Sequence, residues 1–132
     1  MKQIDKLAWI EIQDKAILMA KSYGKELFYI PGGKREIGET DEQALLREIY
    51  EELTVLLDGN TLNYVGTFEA QAHGQPAGTT VKMTCYSGKY SGQLKTSSEI
   101  ESIAWYSYAD KDKVGPVDKI IFDYLHQNGL LA

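Results

Sequence analysis

Apolar and polar positions alternate for most of Leu7 to Ile12, where Leu7, Trp9, Ile10 and Ile12 mark a strand. Ala16 to Ser22 (AILMAKS) is more continuously apolar and predicts a second, better-buried strand, with Asp14-Lys15 turning between the two. Tyr23-Gly24-Lys25 turns again into Leu27-Phe28-Tyr29-Ile30, a third apolar strand stopped by Pro31-Gly32-Gly33. Beyond this glycine loop the rhythm changes. Leu45, Leu46, Ile49 and Leu53 recur at helical spacing, and Thr40 with Gln43 three residues later forms a capping-box pattern, predicting a helix that runs to about Leu53. Leu62 to Ala70, Thr79 to Tyr90 and Ile103 to Tyr108 carry the β-branched and aromatic residues of strands, separated by turns such as His73-Gly74-Gln75-Pro76 and Ser91-Gly92. Pro116 stands at a first helical position before Val117, Ile120, Ile121, Tyr124 and Leu125, and Gly129 stands where that helix would end. The pattern predicts two helices flanking a mixed sheet.

Composition narrows the class. The 132 residues contain no repeat, low-complexity tract or Pro/Ser-rich linker, so one domain over 1–132 is expected. Cys85 is the lone thiol, which excludes an intramolecular disulfide. No apolar run approaches the roughly 18 residues of a membrane span, and Met1 to Lys15 mixes charges with apolar residues, unlike a signal peptide. A cytoplasmic protein without a membrane partner is expected. The formal charge of −5 and the absence of a Lys/Arg cluster argue against binding duplex nucleic acid through its phosphates. An acidic protein that handles phosphates would need cations to do so.

Chemistry concentrates in Gly33 to Val55. At about 100° per residue, Glu48, Glu51 and Glu52 share one edge of the predicted helix beside its apolar stripe. Three like charges so close repel one another, and carboxylate oxygens suit hard divalent ions such as Mg²⁺. Glu-rich solvent faces are common, and spacing alone does not separate the two readings. Arg47 is placed to pair with Glu51 one turn on or to reach back to Glu39. Gly32 and Gly33, lacking Cβ atoms, allow close approach of the backbone and offer a carbonyl ligand or an N–H for phosphate.

These residues resemble the Nudix box, G-x5-E-x7-R-E-U-x-E-E-x-G-U with U a bulky aliphatic, matched by Gly33, Glu39, Arg47, Glu48, Ile49, Glu51, Glu52 and Val55. Thr54 replaces the final glycine, a departure expected to alter only the end of the helix. The resemblance implies an α/β fold, an α/β/α sandwich around a mixed β-sheet. It also implies a pyrophosphohydrolase that cleaves a diphosphate linkage in nucleoside diphosphate-X substrates with Mg²⁺ or Mn²⁺. By the same resemblance Glu48, Glu51 and Glu52 hold the metal, Glu48 assists deprotonation of the attacking water, Arg47 joins the catalytic set, and the Gly32 carbonyl is a backbone ligand. Similarity to the mutator nucleotide pyrophosphatase adds Glu99, six residues before Trp105, as a further metal ligand or base, with Glu101 as runner-up.

The remaining residues say less about substrate. Lys34 and Arg35 are candidates for phosphate contacts, and Tyr29 and Tyr86 for base stacking, as are Phe28, Phe68 and Met83. Loop residue His73 is left outside the catalytic set, and Cys85 reads as a small buried hydrophobe. Markers of ADP-ribose, dinucleoside polyphosphate and coenzyme A subfamilies are missing around the box, which favours a small nucleotide such as a nucleoside triphosphate. A nucleotide-sensing module of the same fold is the alternative, disfavoured by the full carboxylate set. Homodimerisation would fit the leftover apolar residues.

Overall fold

The computed structural model describes residues 2–72 and 75–132. The strands are β1 (Lys2–Trp9), β2 (Ile12–Gln13), β3 (Ala16–Ser22), β4 (Gly32–Lys34), β5 (Leu56–Leu57), β6 (Asn63–Gln71), β7 (Thr79–Ser87), β8 (Tyr90–Ser91) and β9 (Ile100–Tyr106), and the helices are α1 (Asp41–Leu53) and α2 (Pro116–Gln127). One sheet runs β4-β1-β7-β6, with β1 and β7 parallel and the outer pairs antiparallel; β2-β3-β9 and β5-β8 form smaller antiparallel sheets. No helix among the described residues is long and apolar enough to cross a membrane.

Side chains leave a strand on alternate faces, and both faces of β1 and β3 are covered. Leu7, Trp9 and Leu18 pack with Ala44, Leu45, Ile49 and Leu53 of α1. Their neighbours Ala8, Ile10, Ile17 and Met19 pack with Val117, Ile121, Phe122 and Leu125 of α2. Each large side chain taken fully from water contributes about 1.5–3 kcal/mol, so the two helices are held to opposite faces by the alternation itself. This is the expected sandwich around a mixed sheet.

The local signals act as expected at several points. Thr40 Oγ1 accepts from Gln43 N–H at 3.1 Å while Gln43 Oε1 accepts from Thr40 N–H at 3.0 Å, closing the capping box. Asp14 and Lys15 turn with φ of 51° and 60°, two successive left-handed residues that match the twist of a tight hairpin. Pro116 opens α2, and Gly129, with φ of 74°, follows its end.

Three strand expectations are corrected. Leu27 to Ile30 is not a strand: Tyr29 exchanges backbone hydrogen bonds with Ala20, while Phe28 donates to Lys113 and accepts from Gly115, so its pairing is divided between two neighbours and no ladder propagates. The ladder starts instead inside the glycine loop, where Gly32 and Gly33 lie opposite Ala8 and Leu7. The first strand begins at Lys2, its polar half paired with Thr79 to Lys82 of β7, and ends at Trp9, with Ile12 in the separate strand β2. The run Thr79 to Tyr90 breaks after Ser87, where the Gly88 carbonyl accepts from Trp9 Nε1–H at 3.2 Å. The turn expected at His73-Gly74 lies outside the described residues.

Candidate active site

Strand β4 is an edge strand, and it meets α1 through its two glycines. Gly32 has φ of 151°, and a Cβ there would overlap the Leu7 carbonyl oxygen, so only glycine fits. Its N–H donates to Glu52 Oε1 at 3.2 Å. A Cβ on Gly33 would overlap the Glu48 carboxylate. Each glycine thus accommodates one carboxylate, the first by a donated hydrogen bond and the second by leaving space.

Glu48, Glu52 and Glu99 line one cavity of about 420 Å³, together with Gly32, Gly33 and Lys34. Glu52 is buried, and burial, reinforced by the charges of Glu48 and Glu99, pushes its carboxyl up to about 8 despite the Gly32 hydrogen bond. Burial also raises Glu48, against the opposing effect of Arg47. When ionised, these carboxylates repel one another across the cavity wall, and Lys6 partly offsets this at Glu52.

Arg47 sits behind this wall. It binds Glu39 in a fork, Nε to Oε2 at 2.7 Å and Nη2 to Oε1 at 2.9 Å, and the Lys34 carbonyl at 3.1 Å. Nη1 donates to Glu48 Oε1 at 3.0 Å and to Glu51 Oε1 at 3.3 Å. The fork holds the Glu39 carboxyl down at about 2, helped by the Glu36 N–H. Both partners anticipated for Arg47 are therefore engaged at once, and its guanidinium ties the loop before α1 to the carboxylate edge.

Other expected site residues are placed elsewhere. Glu51 is half-exposed and turned to Arg47, outside the cavity lining. Arg35 bridges Asp5 and Asp41, and Tyr86 donates to Asp41 Oδ2 at 2.6 Å, so neither of these two candidates faces the cavity. Glu101 pairs with Lys21 at 2.5 Å on β9. Phe28 and Phe68 pack against the α2-side core, and Cys85 is fully buried there, its thiol pushed up to about 12 by burial. Tyr29, Lys34 and Met83 do line the cavity. His73 lies outside the described residues.

Two residues escaped the sequence reading. Lys6 lines the cavity, on the face of β1 that continues through Ala8 and Ile10 toward α2. Its signal is a lysine in phase with the buried positions of a strand that begins at Lys2, five residues before the expected Leu7. Asp118 is fully buried in the first turn of α2; its Oδ1 accepts from Ile30 N–H at 2.8 Å, and Oδ2 has no partner among the described residues. An acidic residue near a helix N-terminus is ordinary in sequence, and only the packing shows that it is enclosed.

The donor set is oxygen only and suits a hard divalent ion. Among the described residues no three His, Cys, Asp or Glu side chains converge as a cage.

Comparison with known proteins identifies the family. The NUDIX domain family model matches residues 4–125. A Bacillus subtilis protein named as the uncharacterized Nudix hydrolase YvcI is 27% identical over 125 residues, 92% of this chain and 78% of its own length. An ADP-ribose pyrophosphatase of Methanocaldococcus jannaschii is 28% identical over 124 residues, 91% of this chain and 72% of its own. The solution structure of the E. coli ORF135 protein superposes with a TM-score of 0.75 at 26% identity, over 96% of this chain and 91% of that one. With a family match over almost its whole length and the glycine-supported carboxylates at the helix edge, the chain belongs to the NUDIX family of hydrolases.

Proposed function

We propose that the protein hydrolyses the diphosphate linkage of a small nucleoside diphosphate-X substrate, with nucleoside triphosphates as the favoured class and Mg²⁺ or Mn²⁺ as the ion. The supporting observation is the placement of Glu48 and Glu52 on one cavity wall, fixed by Gly33 and Gly32. Glu48 and Glu52, with the Gly32 carbonyl and Glu99, would hold the ion, and Glu51 would join by releasing Arg47. When bound, the ion supplies charge neutralisation at the phosphate oxygens and lowers the pKa of water.

The chain's own groups do the rest. Glu48, raised by burial, is the group that takes a proton from the water attacking phosphorus as the phosphoanhydride P–O bond breaks. Arg47 is a positioning residue, since it touches Glu48, Glu51 and Glu39 and does not line the cavity. Lys34, at the rim, is available to the leaving phosphate oxygens. Ile4, Tyr29, Val81 and Met83, which also line the cavity, supply an apolar surface for the organic half of the substrate.

The test is release of phosphate and pyrophosphate from nucleoside triphosphates, normal and oxidised, nucleotide sugars, ADP-ribose and dinucleoside polyphosphates, with Mg²⁺, Mn²⁺ and EDTA. Metal-dependent cleavage of one class at kcat/KM above about 10⁴ M⁻¹s⁻¹ supports the reading. Saturable nucleotide binding with no cleavage of any member would overturn it in favour of a sensing module.

A further inference from the structure

Lys6 stands where the charged and apolar parts of the cavity lining meet, opposite Lys34 on β4 and beside Met83 on β7. The parallel register sets Ile4 beside Val81 and Lys6 beside Met83, and all four line the cavity with Tyr29. Lys6 Nζ lies 6.0 Å from the centre of the Tyr29 ring, and its charge is felt by both Glu52 and Asp118. Among the described residues it takes part in none of the ion pairs. An ammonium carries three donors and no acceptor, and partial withdrawal from water without a partner is costly.

We propose that Lys6 is a specificity-determining residue that donates to a keto oxygen on the organic half of the substrate, so that keto bases are preferred over amino bases. This rests on the hydrolase reading, which puts the phosphates at the carboxylate end and the base over Ile4, Val81, Met83 and Tyr29. Where uracil and hypoxanthine present an oxygen, cytosine and adenine present an amino group. At that exocyclic position Lys6 can pair with the oxygen and meets the amino group donor to donor, which leaves the amino bases only the neighbouring ring nitrogen as an acceptor. A site built around a charged donor discriminates against a ligand that leaves that donor unpaired.

The experiment compares UTP with CTP and ITP with ATP, each pair differing only at that exocyclic group and at the ring nitrogen beside it, in the wild type, Lys6→Met and Lys6→Arg. The wild type is expected to favour the keto member by about tenfold or more in kcat/KM, mostly through KM. Lys6→Met should bring the ratio close to unity, and Lys6→Arg should keep the order. An unchanged ratio in Lys6→Met, a preference for amino bases, or an equal fall for both members of each pair would overturn the proposal; the last is what an effect through the charge on Glu52 would produce. Calorimetric binding of UMP and CMP without metal reads the same preference without turnover. UMP favoured without any hydrolysis would sink the hydrolase reading and keep the role of Lys6; hydrolysis with equal binding and equal kcat/KM would do the reverse.

Discussion

The carboxylate of Glu48 lies where a methyl group on Gly33 would have to be: a Cβ on that glycine would overlap Cδ and both carboxylate oxygens. The side chain on one element and the missing side chain on another are therefore one feature. The same contact couples the edge strand β4 to the late turns of α1, and the position of the Glu48 carboxylate to the backbone of Gly33.

Gly33→Ala should fold and lose function. The obstructing atoms belong to the far end of a side chain that can swing away, so stability should change by no more than about 1 kcal/mol. The displaced carboxylate, off by an ångström or more, should lower kcat/KM by about a hundredfold. Gly32→Ala should differ in kind, because its Cβ would meet the Leu7 backbone and its φ of 151° is strained for alanine. Melting curves and Mn²⁺ titrations of the two variants check this; equal stabilities would remove the distinction between making space and shaping the backbone.

Glu52→Gln separates ion binding from folding. Glutamine keeps an Oε1 acceptor for the Gly32 N–H and removes a charge that burial and the Glu48 and Glu99 carboxylates disfavour. Turnover should fall by at least about a hundredfold. Without metal and above pH 8, where Glu52 is ionised, the variant should melt higher than the wild type, and added Mg²⁺ should raise its melting temperature less. A wild-type response to Mg²⁺ in the variant would remove Glu52 from the ion site.

Much of this was legible in sequence because the signals were local. The Thr40/Gln43 box, the stripe of Leu45, Ile49 and Leu53, and Pro116 each act within a turn or two of helix, and each appears where expected. The carboxylate cluster was visible because helical spacing alone places Glu48 and Glu52 together. The division of labour was not visible. That Arg35 and Tyr86 converge on Asp41 and that Lys6 faces Tyr29 depend on which strands lie side by side, whereas the Arg47–Glu51 pair, one turn apart on α1, was anticipated. Leu27 to Ile30 was misread for the same reason: its apolar content is strand-like, but its backbone partners lie in two separate segments.

Thr54→Gly should stabilise the protein. Thr54 caps α1 with φ of 60° and ψ of 19°, a left-handed conformation that costs a β-branched residue about 1–2 kcal/mol. Glycine removes that strain but enlarges the unfolded ensemble, which offsets about 0.4–1 kcal/mol of the gain. A net increase of about 1 kcal/mol and about 3–5 °C in Tm is expected, with kcat unchanged because Thr54 lies outside the cavity lining. Calorimetry decides it, and a lower Tm would mean that Thr54 makes compensating contacts.

Asp118 should leave a signature in the pH dependence of stability. Burial pushes its carboxyl up to about 7, while the Ile30 hydrogen bond and the Lys6 charge act the other way. Between its ordinary value of 3.8 and about 7 the folded chain keeps a proton that the unfolded chain has released. Its contribution to stability is therefore full below about pH 4 and is lost as pH rises to 7, by up to about 1.4 kcal/mol per pH unit. Glu39, held down at about 2, has the opposite sign and removes stability as pH falls below its ordinary value of 4.5. Metal-free protein should consequently be most stable near pH 4–5, between these two windows. Asp118→Asn keeps an oxygen for the Ile30 N–H and cannot ionise, so urea titrations should show a shallower decline from pH 5 to 7. The slope that remains should run on to about pH 8 because Glu52 titrates there, and combining Asp118→Asn with Glu52→Gln should flatten it; a slope untouched by either substitution would place the pH dependence in other groups.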